Sequence, residues 1–296
     1  MFKQSYDTVL SEIRECEKIA EQYPRNYYAW TYRQLVSLFI PSADEIESHI
    51  DSLTKWTKRH VSDHCAYHYR HFLWSRFIHF LDMPLANAIT KGLNNSEHIV
   101  EEETDCKISP EHAERIYEFW KTEFVLSTNL LTNYPGHESL WCHRRSLVVH
   151  WTMVLQCSAS VRSLCESDSY IPTQSDPDAE VESVNLSLLF ERELHFVKRH
   201  ITDDGISQYE KNKRFAVSYL TWLFALVSPH YHTQLTNSHK FQRLVSQDSF
   251  HTNCFGNTSK EDFVTAMSLT EPTRLIAQLP FTPQKKKKKN AHLRLA

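Results

Sequence analysis

A short frame of residues occurs three times in this chain. Asn26, Asp63 and His137 are each followed by an aromatic residue four positions later and by an arginine seven positions later. A frame that recurs along a sequence is typical of a repeat architecture, in which one supersecondary unit is stacked several times. The aromatic residues are Trp30, Tyr67 and Trp141, and the arginines are Arg33, Arg70 and Arg144.

Apolar columns run through the three copies and through a weaker fourth copy that starts at Asn212. Positions 3, 10 and 14 after the start are apolar in all four copies, and with position 7 they step by four, three and four residues. This stepping places them on one face of a helix. Apolar residues also lie 13 and 7 positions before the first three starts, which predicts a preceding amphipathic helix. The residues after the start are Ala29, Val36, Ile40, Ala66, Leu73, Phe77, Leu140, Leu147, Trp151, Phe215, Trp222 and Leu226, and those before it are Ile13, Ile19, Ile50, Trp56, Phe124 and Leu130.

Each copy therefore predicts a helical hairpin, and the set predicts an all-α fold. A single hairpin leaves its apolar stripe in water, so neighbours are expected to stack into an α-solenoid, an alpha-alpha superhelix of about four repeats. The polar segments 92–110 and 157–183 show no apolar period and are predicted to be solvated loops. We predict a repeat domain over 1–227 and a poorly structured tail over 228–296 with a lysine run. With only four glycines, the chain does not suit tetratricopeptide repeats.

Most frame residues have a structural interpretation. Asn26, Asp63 and Asn212 are of the types that cap helix N-termini, and the three aromatic residues are expected to fill the core between hairpins. An arginine on an apolar face needs a carboxylate or carbonyl partner to offset its desolvation. For the three frame arginines that partner is either a neighbouring hairpin or a second subunit, and Arg70→Ala is expected to destabilise the array. In the fourth copy Ala216 and Tyr219 replace the aromatic residue and the arginine.

Several classes of function are disfavoured by composition. The net charge is −3, but without residues 285–296, which hold five lysines and Arg294, it is 27 minus 36, or −9. Binding of nucleic acid is therefore not expected outside that lysine run, and no apolar stretch approaches the roughly 18 residues of a membrane span. The seven cysteines form no C-x-x-C pair, which favours reduced thiols in the cytoplasm. His64 and His68 are spaced as metal ligands on a helix, but no carboxylate or cysteine frame accompanies them, so no metal site is predicted in this chain.

The recurring pattern P-x-N-Y-x-x-W-x-x-R resembles the repeat of protein prenyltransferase alpha subunits. Residues Tyr23 to Arg33 match this pattern in full. The second copy, HVSDHCAYHYRH, and the third, YPGHESLWCHRR, depart from it at the asparagine and at the tyrosine. The resemblance covers residues 1–227. Alpha subunits of this family generally contain more repeats than these, so upstream copies are expected to be missing.

The resemblance implies a function as well as a fold. It implies an alpha-type subunit of a heterodimeric protein prenyltransferase that wraps a beta subunit folded as an α/α barrel. The expected reaction is geranylgeranyl transfer from an isoprenoid diphosphate to a cysteine of a protein substrate. No cofactor is expected in this chain, because the catalytic zinc ion belongs to the beta subunit.

The resemblance also assigns roles to residues. It places Arg25, Tyr27 and Tyr28 near the departing diphosphate, with arginine at position 25 where the family usually has lysine. The remaining frame residues are assigned to the repeat structure or to partner binding: Asn26, Trp30, Arg33, Asp63, His64, Tyr67, Arg70, His137, Trp141 and Arg144.

A second hypothesis keeps the architecture without the reaction. In it the chain is a non-catalytic helical-repeat scaffold for protein interactions, and a surface formed by stacked hairpins binds client proteins. A complex with a beta subunit that transfers lipid favours the enzyme subunit, whereas a complex without transfer favours the scaffold.

Overall fold

The computed structural model describes residues 2–94, 106–167, 185–202 and 210–226. The chain divides into two compact units, Met1–Tyr231 and His232–Ala296, and all of the described residues lie in the first. The tail predicted over 228–296 therefore falls outside the described residues. In the described ranges every regular element is an α-helix, and none is long and apolar enough to cross a membrane.

The helices follow one another with short connections wherever the connection is described. In chain order they are α1 (Phe2–Gln22), α2 (Tyr27–Ser37), α3 (Ala43–Arg59), α4 (His64–Leu81), α5 (Met83–Asn94), α6 (Pro110–Asn133), α7 (Glu138–Cys157), α8 (Ala159–Ser167), α9 (Asn185–Thr202) and α10 (Glu210–Leu226).

The described residues of this unit form four helical hairpins. Hairpin 1 is α1 with α2, hairpin 2 is α3 with α4, hairpin 3 is α6 with α7, and hairpin 4 is α9 with α10. The second helices contact one another in chain order, α2 with α4, α4 with α7 and α7 with α10. The predicted all-α solenoid of stacked hairpins is confirmed.

The apolar columns behave differently in the fourth hairpin. In the first three copies, all nine residues at positions 3, 10 and 14 are buried. In α10, Phe215 and Trp222 are only half-buried, while Ala216, Tyr219 and Leu223 are buried. The buried stripe of the described part of α10 is thus turned by one residue from the predicted one.

Two of the three predicted capping residues cap a helix. The Oδ1 of Asn26 accepts from the Ala29 N–H at 3.2 Å, and the Oδ1 of Asp63 accepts from the Cys65 N–H at 3.0 Å. The prediction is wrong for Asn212, because α10 already begins at Glu210 and Asn212 lies inside its first turn. There its Oδ1 accepts from the indole Nε1–H of Trp141 at 3.1 Å, so it links hairpins 3 and 4.

The structure corrects the predicted loop over 157–183 and shortens the one over 92–110 at its ends. Segment 92–110 overlaps the end of α5, a helix that the repeat frame does not include and whose Leu85 and Ile89 are buried. Segment 157–183 contains α8, where the Ser158 hydroxyl accepts from the Val161 N–H at 3.3 Å and Val161 is fully buried. A local cap and a few buried apolar residues are enough to form these short helices against α7. Residues 95–105 and 168–184 lie outside the described ranges.

Candidate functional site

Arg70 joins hairpins 2 and 3. It lies on α4, is 1% exposed, and makes a two-point pair with Glu123 of α6. Its Nε donates to Glu123 Oε2 at 2.8 Å, and its Nη2 donates to Oε1 of the same carboxylate. Its Nη1 donates to the carbonyl of Ile50 on α3 at 3.1 Å. Charge-assisted bonds in this fork geometry are among the stronger ones in proteins, so the guanidinium fixes how the two hairpins meet.

Arg144 repeats this arrangement between hairpins 3 and 4. Its Nε and Nη2 donate to the two carboxylate oxygens of Glu193 at 3.0 and 2.6 Å. Its Nη1 donates to the carbonyl of Phe124 at 3.3 Å and to the hydroxyl of Thr128 at 2.9 Å. Tyr219, which replaces the arginine in the fourth copy, donates its hydroxyl to the same Glu193 at 2.6 Å. Of the two partners that the sequence left open, Arg70 and Arg144 both use the neighbouring hairpin.

Arg33 has no such carboxylate. It is 2% exposed, its Nη2 lies 3.8 Å from Glu17 Oε2, and its Nε and Nη1 have no hydrogen-bond partner among the described residues. The guanidinium instead lies over two rings, 5.3 Å from the centroid of Trp30 and 4.9 Å from that of Tyr69. Cation–π contacts of this kind compensate part of the cost of burying the charge.

The acid partners form a column that the sequence analysis did not identify. Glu123 lies ten residues before the end of α6, and Glu193 lies nine before the end of α9. The residue ten positions before the end of the helix is Glu12 in α1 and His49 in α3. Burial, together with the nearby Arg33, lowers the pKa of His49. The recurring position, 14 residues before each of the first three frame starts, was visible in the sequence.

The frame aromatic residues occupy equivalent buried places. Trp30, Tyr67 and Trp141 are each 2% exposed. Each ring contacts an aromatic side chain of the next hairpin: Trp30 with Trp56 at 5.6 Å, Tyr67 with His143 at 4.8 Å, and Trp141 with Phe196 at 6.0 Å between ring centroids. These rings pack between hairpins and are unavailable to a ligand in solution.

The candidate diphosphate residues lie together on the surface, at the turn between α1 and α2. Tyr27 and Tyr28 are 64% and 82% exposed, and their rings meet edge to face at 6.0 Å. Arg25, also exposed, has a φ of 64°, in the left-handed region that non-glycine residues rarely adopt. The same position in hairpin 3 is Gly136, with a φ of 87°. The turn thus presents one cation and two phenols to solvent, beside the N-terminus of α2.

Histidines gather between α4 and α7, away from that turn. The ring nitrogens His71 Nε2 and His143 Nδ1 lie 3.0 Å apart, and His150 lies 6.2 Å from His71 between ring centroids. Burial lowers the pKa of all three, and that of His71 and His143 falls well below the usual value. His64 is exposed, and the Nδ1 of His137 is 2.7 Å from the Ser62 hydroxyl. Among the described residues no group of His, Cys, Asp and Glu side chains is arranged to hold a metal ion.

Comparison with known proteins identifies the repeat. The sequence profile of the protein prenyltransferase alpha subunit repeat matches residues 9–39 and 120–151, which lie in hairpins 1 and 3. The predicted resemblance to the protein prenyltransferase alpha-subunit family is confirmed, and two stretches of this chain match that family's repeat.

Whole proteins with these repeats are also similar to the chain. Protein prenyltransferase alpha subunit repeat-containing protein 1 of Danio rerio is 33% identical over 143 residues, which is 47% of this chain and 33% of the relative. The protein of the same name from Homo sapiens is 28% identical over 227 residues, covering 74% of this chain and 56% of the relative. Protein prenyltransferase alpha subunit repeat-containing protein 1-B of Xenopus laevis is 28% identical over 270 residues, which cover 74% of this chain and 59% of the relative. The chain thus spans between a third and three fifths of the length of these relatives.

Proposed function

We propose that this chain is the alpha-type subunit of a heterodimeric protein prenyltransferase and that it scaffolds a beta subunit. The repeats matched by the family profile and the stacked hairpins support this proposal. The expected partners are a beta subunit, a protein substrate with an acceptor cysteine, and an isoprenoid diphosphate of geranylgeranyl length. The free thiols of Cys16, Cys65, Cys142 and Cys157 agree with a reducing compartment, and we expect the pair to act in the cytoplasm.

The turn of Arg25, Tyr27 and Tyr28 is the observation that carries the catalytic part of the proposal. All three residues are exposed and lie beside the N-terminus of α2, where backbone N–H groups and the helix dipole favour an anion. A guanidinium and phenol hydroxyls donate hydrogen bonds to phosphate oxygens. The turn therefore has the chemistry to receive the charge of a departing diphosphate.

In the proposed reaction this chain contributes charge stabilisation. A zinc ion held by the beta subunit would keep the substrate cysteine as a thiolate, its proton lost to solvent; the bond from this sulfur to C1 of the isoprenoid would form as the bond from C1 to the diphosphate oxygen breaks. Negative charge then grows on the diphosphate. Arg25 is placed to pair with that charge, and Tyr27 to donate a hydrogen bond to it, which lowers the barrier if the bonds strengthen in the transition state.

The test is co-expression with a geranylgeranyl-transferring beta subunit, followed by measurement of complex formation and of lipid transfer to a protein ending in an acceptor cysteine. Arg25→Gly keeps the left-handed backbone and removes only the cation, and Tyr27→Phe removes only a hydroxyl. We expect kcat to fall by roughly tenfold or more in each variant, as for loss of a charge-stabilising donor. The amount of complex should not change.

The matched control is Arg14→Ala, which removes an exposed arginine from the middle of α1. It should leave transfer unchanged. A stable complex that never transfers lipid points to the scaffold instead. Failure to form any complex contradicts the proposal, and equal rates for Arg25→Gly, Tyr27→Phe and Arg14→Ala remove the turn from the reaction.

A further inference from the structure

Two cysteines meet at the end of hairpin 3 that lies opposite its turn. Cys106 comes four residues before α6, and Cys157 is the last residue of α7. The Cys106 N–H donates to the Cys157 carbonyl at 2.8 Å, although the two residues are 51 positions apart in the chain. Both side chains are thiols in the structure, and both are half-buried. We call these two residues the hairpin-3 cysteine pair.

Hydrogen bonds hold the end of α7 in place. The last carbonyls of a helix have no partner within the helix and need donors from elsewhere. Arg162 Nη1 donates to the carbonyls of Leu155 and Gln156 at 2.6 and 3.1 Å. The Cys106 N–H serves the next carbonyl, that of Cys157. Three successive carbonyls at this helix end are therefore bonded, which fixes the position of Cys157.

Cys106 is held from the side of α6. Ile108, two residues further on, is 6% exposed and anchors the segment in the core. The Ser109 hydroxyl accepts from the His112 N–H at 3.2 Å and so caps the first turn of α6. Cys106 thus lies between a fixed helix start and a fixed helix end, and the contact between the two cysteines belongs to the fold.

The backbone bond places the two Cα atoms within the span of a disulfide. With standard bond lengths, the Cα of Cys106 lies about 1.5 Å from its own nitrogen, and the Cα of Cys157 about 2.4 Å from its own carbonyl oxygen. Together with the 2.8 Å bond, these lengths keep the Cα atoms within about 6.7 Å of each other. Disulfides in proteins span about 4.4–6.8 Å between Cα atoms.

The two thiols are also close enough to interact electrostatically. Burial raises the pKa of the Cys157 thiol, the charge of a Cys106 thiolate raises it further, and the Arg162 guanidinium offsets part of this rise. The effect of Cys106 requires that the two side chains lie near each other. Because a thiol with a raised pKa is a slow nucleophile, proximity rather than an activated thiolate favours a bond between them.

We propose that the hairpin-3 cysteine pair is a redox-modification site, at which a hydroperoxide converts the two thiols to a disulfide that closes hairpin 3. One cysteine, as its thiolate, attacks an oxygen of the hydroperoxide, and the O–O bond breaks. A sulfenic acid forms, and the other oxygen leaves as an alcohol or as water with the proton that the thiol lost. The second thiolate attacks the sulfenic sulfur, and the hydroxyl group leaves as water with the second thiol proton. The two sulfurs lose two electrons, which the peroxide oxygens gain.

The bond acts on the hairpin at the centre of the array. It joins the start of α6 to the end of α7 and closes a loop that contains both helices, which limits the conformations open to the unfolded chain. Hairpin 3 carries Glu123 and Arg144, which pair with hairpins 2 and 4. Closing it therefore stabilises both of its interfaces. The site is separate from the turn of Arg25 and does not depend on the proposed function.

The test uses the reduced full chain and hydrogen peroxide as the probe. After exposure, remaining thiols are blocked with N-ethylmaleimide, and the chain is digested with trypsin without a reductant. Trypsin places Cys106, Cys142, Cys157 and Cys165 on separate peptides, residues 92–107, 122–144, 146–162 and 163–192. Mass spectrometry should find peptides 92–107 and 146–162 joined, with the mass of two hydrogen atoms lost. Dithiothreitol should separate them.

Thermal unfolding measures the effect on the fold. The oxidised chain should have a Tm roughly 5 °C or more above that of the reduced chain, because the bond closes a loop of about fifty residues. Dithiothreitol should abolish the rise. Cys106→Ser and Cys157→Ser, treated with the same oxidant, should show neither the joined peptides nor the rise in Tm.

The matched control is Cys142→Ser. Cys142 is also half-buried on α7, and burial raises the pKa of its thiol as well. It lies 15 residues before Cys157, about 22 Å along the helix, so it is out of reach of the hairpin-3 cysteine pair. Cys142→Ser should behave like the parent chain in both measurements.

Four outcomes overturn the proposal. They are a disulfide to the peptide that carries Cys165, a disulfide between two chains, oxidation of either cysteine to a sulfinic acid without joined peptides, and joined peptides without a rise in Tm. The first three remove the hairpin-3 cysteine pair as the site. The last shows that the bond forms without closing the hairpin against unfolding.

Discussion

Arg70 and Arg33 occupy the same position in the repeat but have different interaction partners. Arg70 has a buried carboxylate and a carbonyl as partners, whereas Arg33 has two aromatic rings and a glutamate at 3.8 Å. Removing one member of a buried ion pair leaves the other charge without compensation, and this cost exceeds the net contribution of the pair. The acid is therefore the sharper place to probe the interface.

Glu123→Gln is expected to lower the free energy of unfolding by about 3–5 kcal/mol, because it leaves the guanidinium of Arg70 buried without a charge partner. Glu17→Gln removes a partly exposed carboxylate that lies 3.8 Å from Arg33, and it should cost no more than about 1 kcal/mol. Urea unfolding followed by circular dichroism measures both. Equal losses in the two variants would show that the Arg70 pair has no special role.

Residue 25 matters for the backbone conformation of the turn as well as for its charge. Arg25 and Gly136 share the left-handed backbone just before a frame start, and glycine adopts that conformation without strain. Aligning P-R-N of the first copy with P-G-H of the third shows from the sequence that Arg25 and Gly136 are equivalent. That the arginine has a positive φ is evident only from the structure. This is why Arg25→Gly separates loss of charge from loss of backbone geometry better than Arg25→Ala.

At the scale of elements, the second helices of the first three hairpins do not all begin with a side-chain cap. Asn26 and Asp63 cap α2 and α4 through their side chains, whereas His137 makes no capping bond to α7. A side-chain cap satisfies a backbone N–H that the helix leaves without a partner. The difference between hairpins is thus local and can be tested one helix at a time.

Asp63→Ala should lower the free energy of unfolding by about 1 kcal/mol, whereas Asp63→Asn, which keeps an acceptor oxygen, should stay within about 0.5 kcal/mol of the parent. Asn26→Ala should behave like Asp63→Ala. Thermal unfolding of the purified variants provides the comparison. If Asp63→Ala and Asp63→Asn lose the same amount, the carboxylate acts through its charge rather than as a cap.

The two helices that the sequence did not predict, α5 and α8, were missed for the same reason. The hairpin helices carry long apolar periods, so the sequence predicted them, but α5 and α8 bury only a few residues against α7. Short apolar patches of that size do not distinguish a helix from a loop. In α10 the sequence predicted the helix correctly but placed its buried stripe one residue away, because the rotation of a helix about its axis depends on the helices that pack against it.

At the scale of the whole unit, the contact between hairpins 2 and 3 contains titratable rings. His71 faces His143, His150 and His68, with Arg70 near, and His143 faces Arg70 and Arg144. Burial and these positive neighbours lower the pKa of His71 and His143 in the folded chain, whereas the unfolded chain keeps about 6.5. Above that pH both states are neutral at these rings, and below it only the unfolded state takes up the protons.

Stability should therefore fall as the pH is lowered below about 6.5, by up to about 1.4 kcal/mol per pH unit for each of the two histidines. Urea unfolding at pH 7.5, 6.5 and 5.5 measures the slope. A double variant, His71→Phe with His143→Phe, removes both groups and should show a shallower dependence. A variant with the parent's slope would locate the acid sensitivity elsewhere in the chain.

The sequence alone determined that the chain folds into helical hairpins of one repeat class, because the 3–4 stepping of apolar residues is local and recurs in all four copies, and the frame recurs in the first three. Tertiary structure decided which acid meets each arginine, since Glu123 and Glu193 lie 53 and 49 residues from Arg70 and Arg144. It also decided exposure, because a column is buried only where a neighbouring hairpin covers it. Ile19 and Trp56 share a position in the repeat, yet among the described residues only Trp56 is covered by a preceding hairpin.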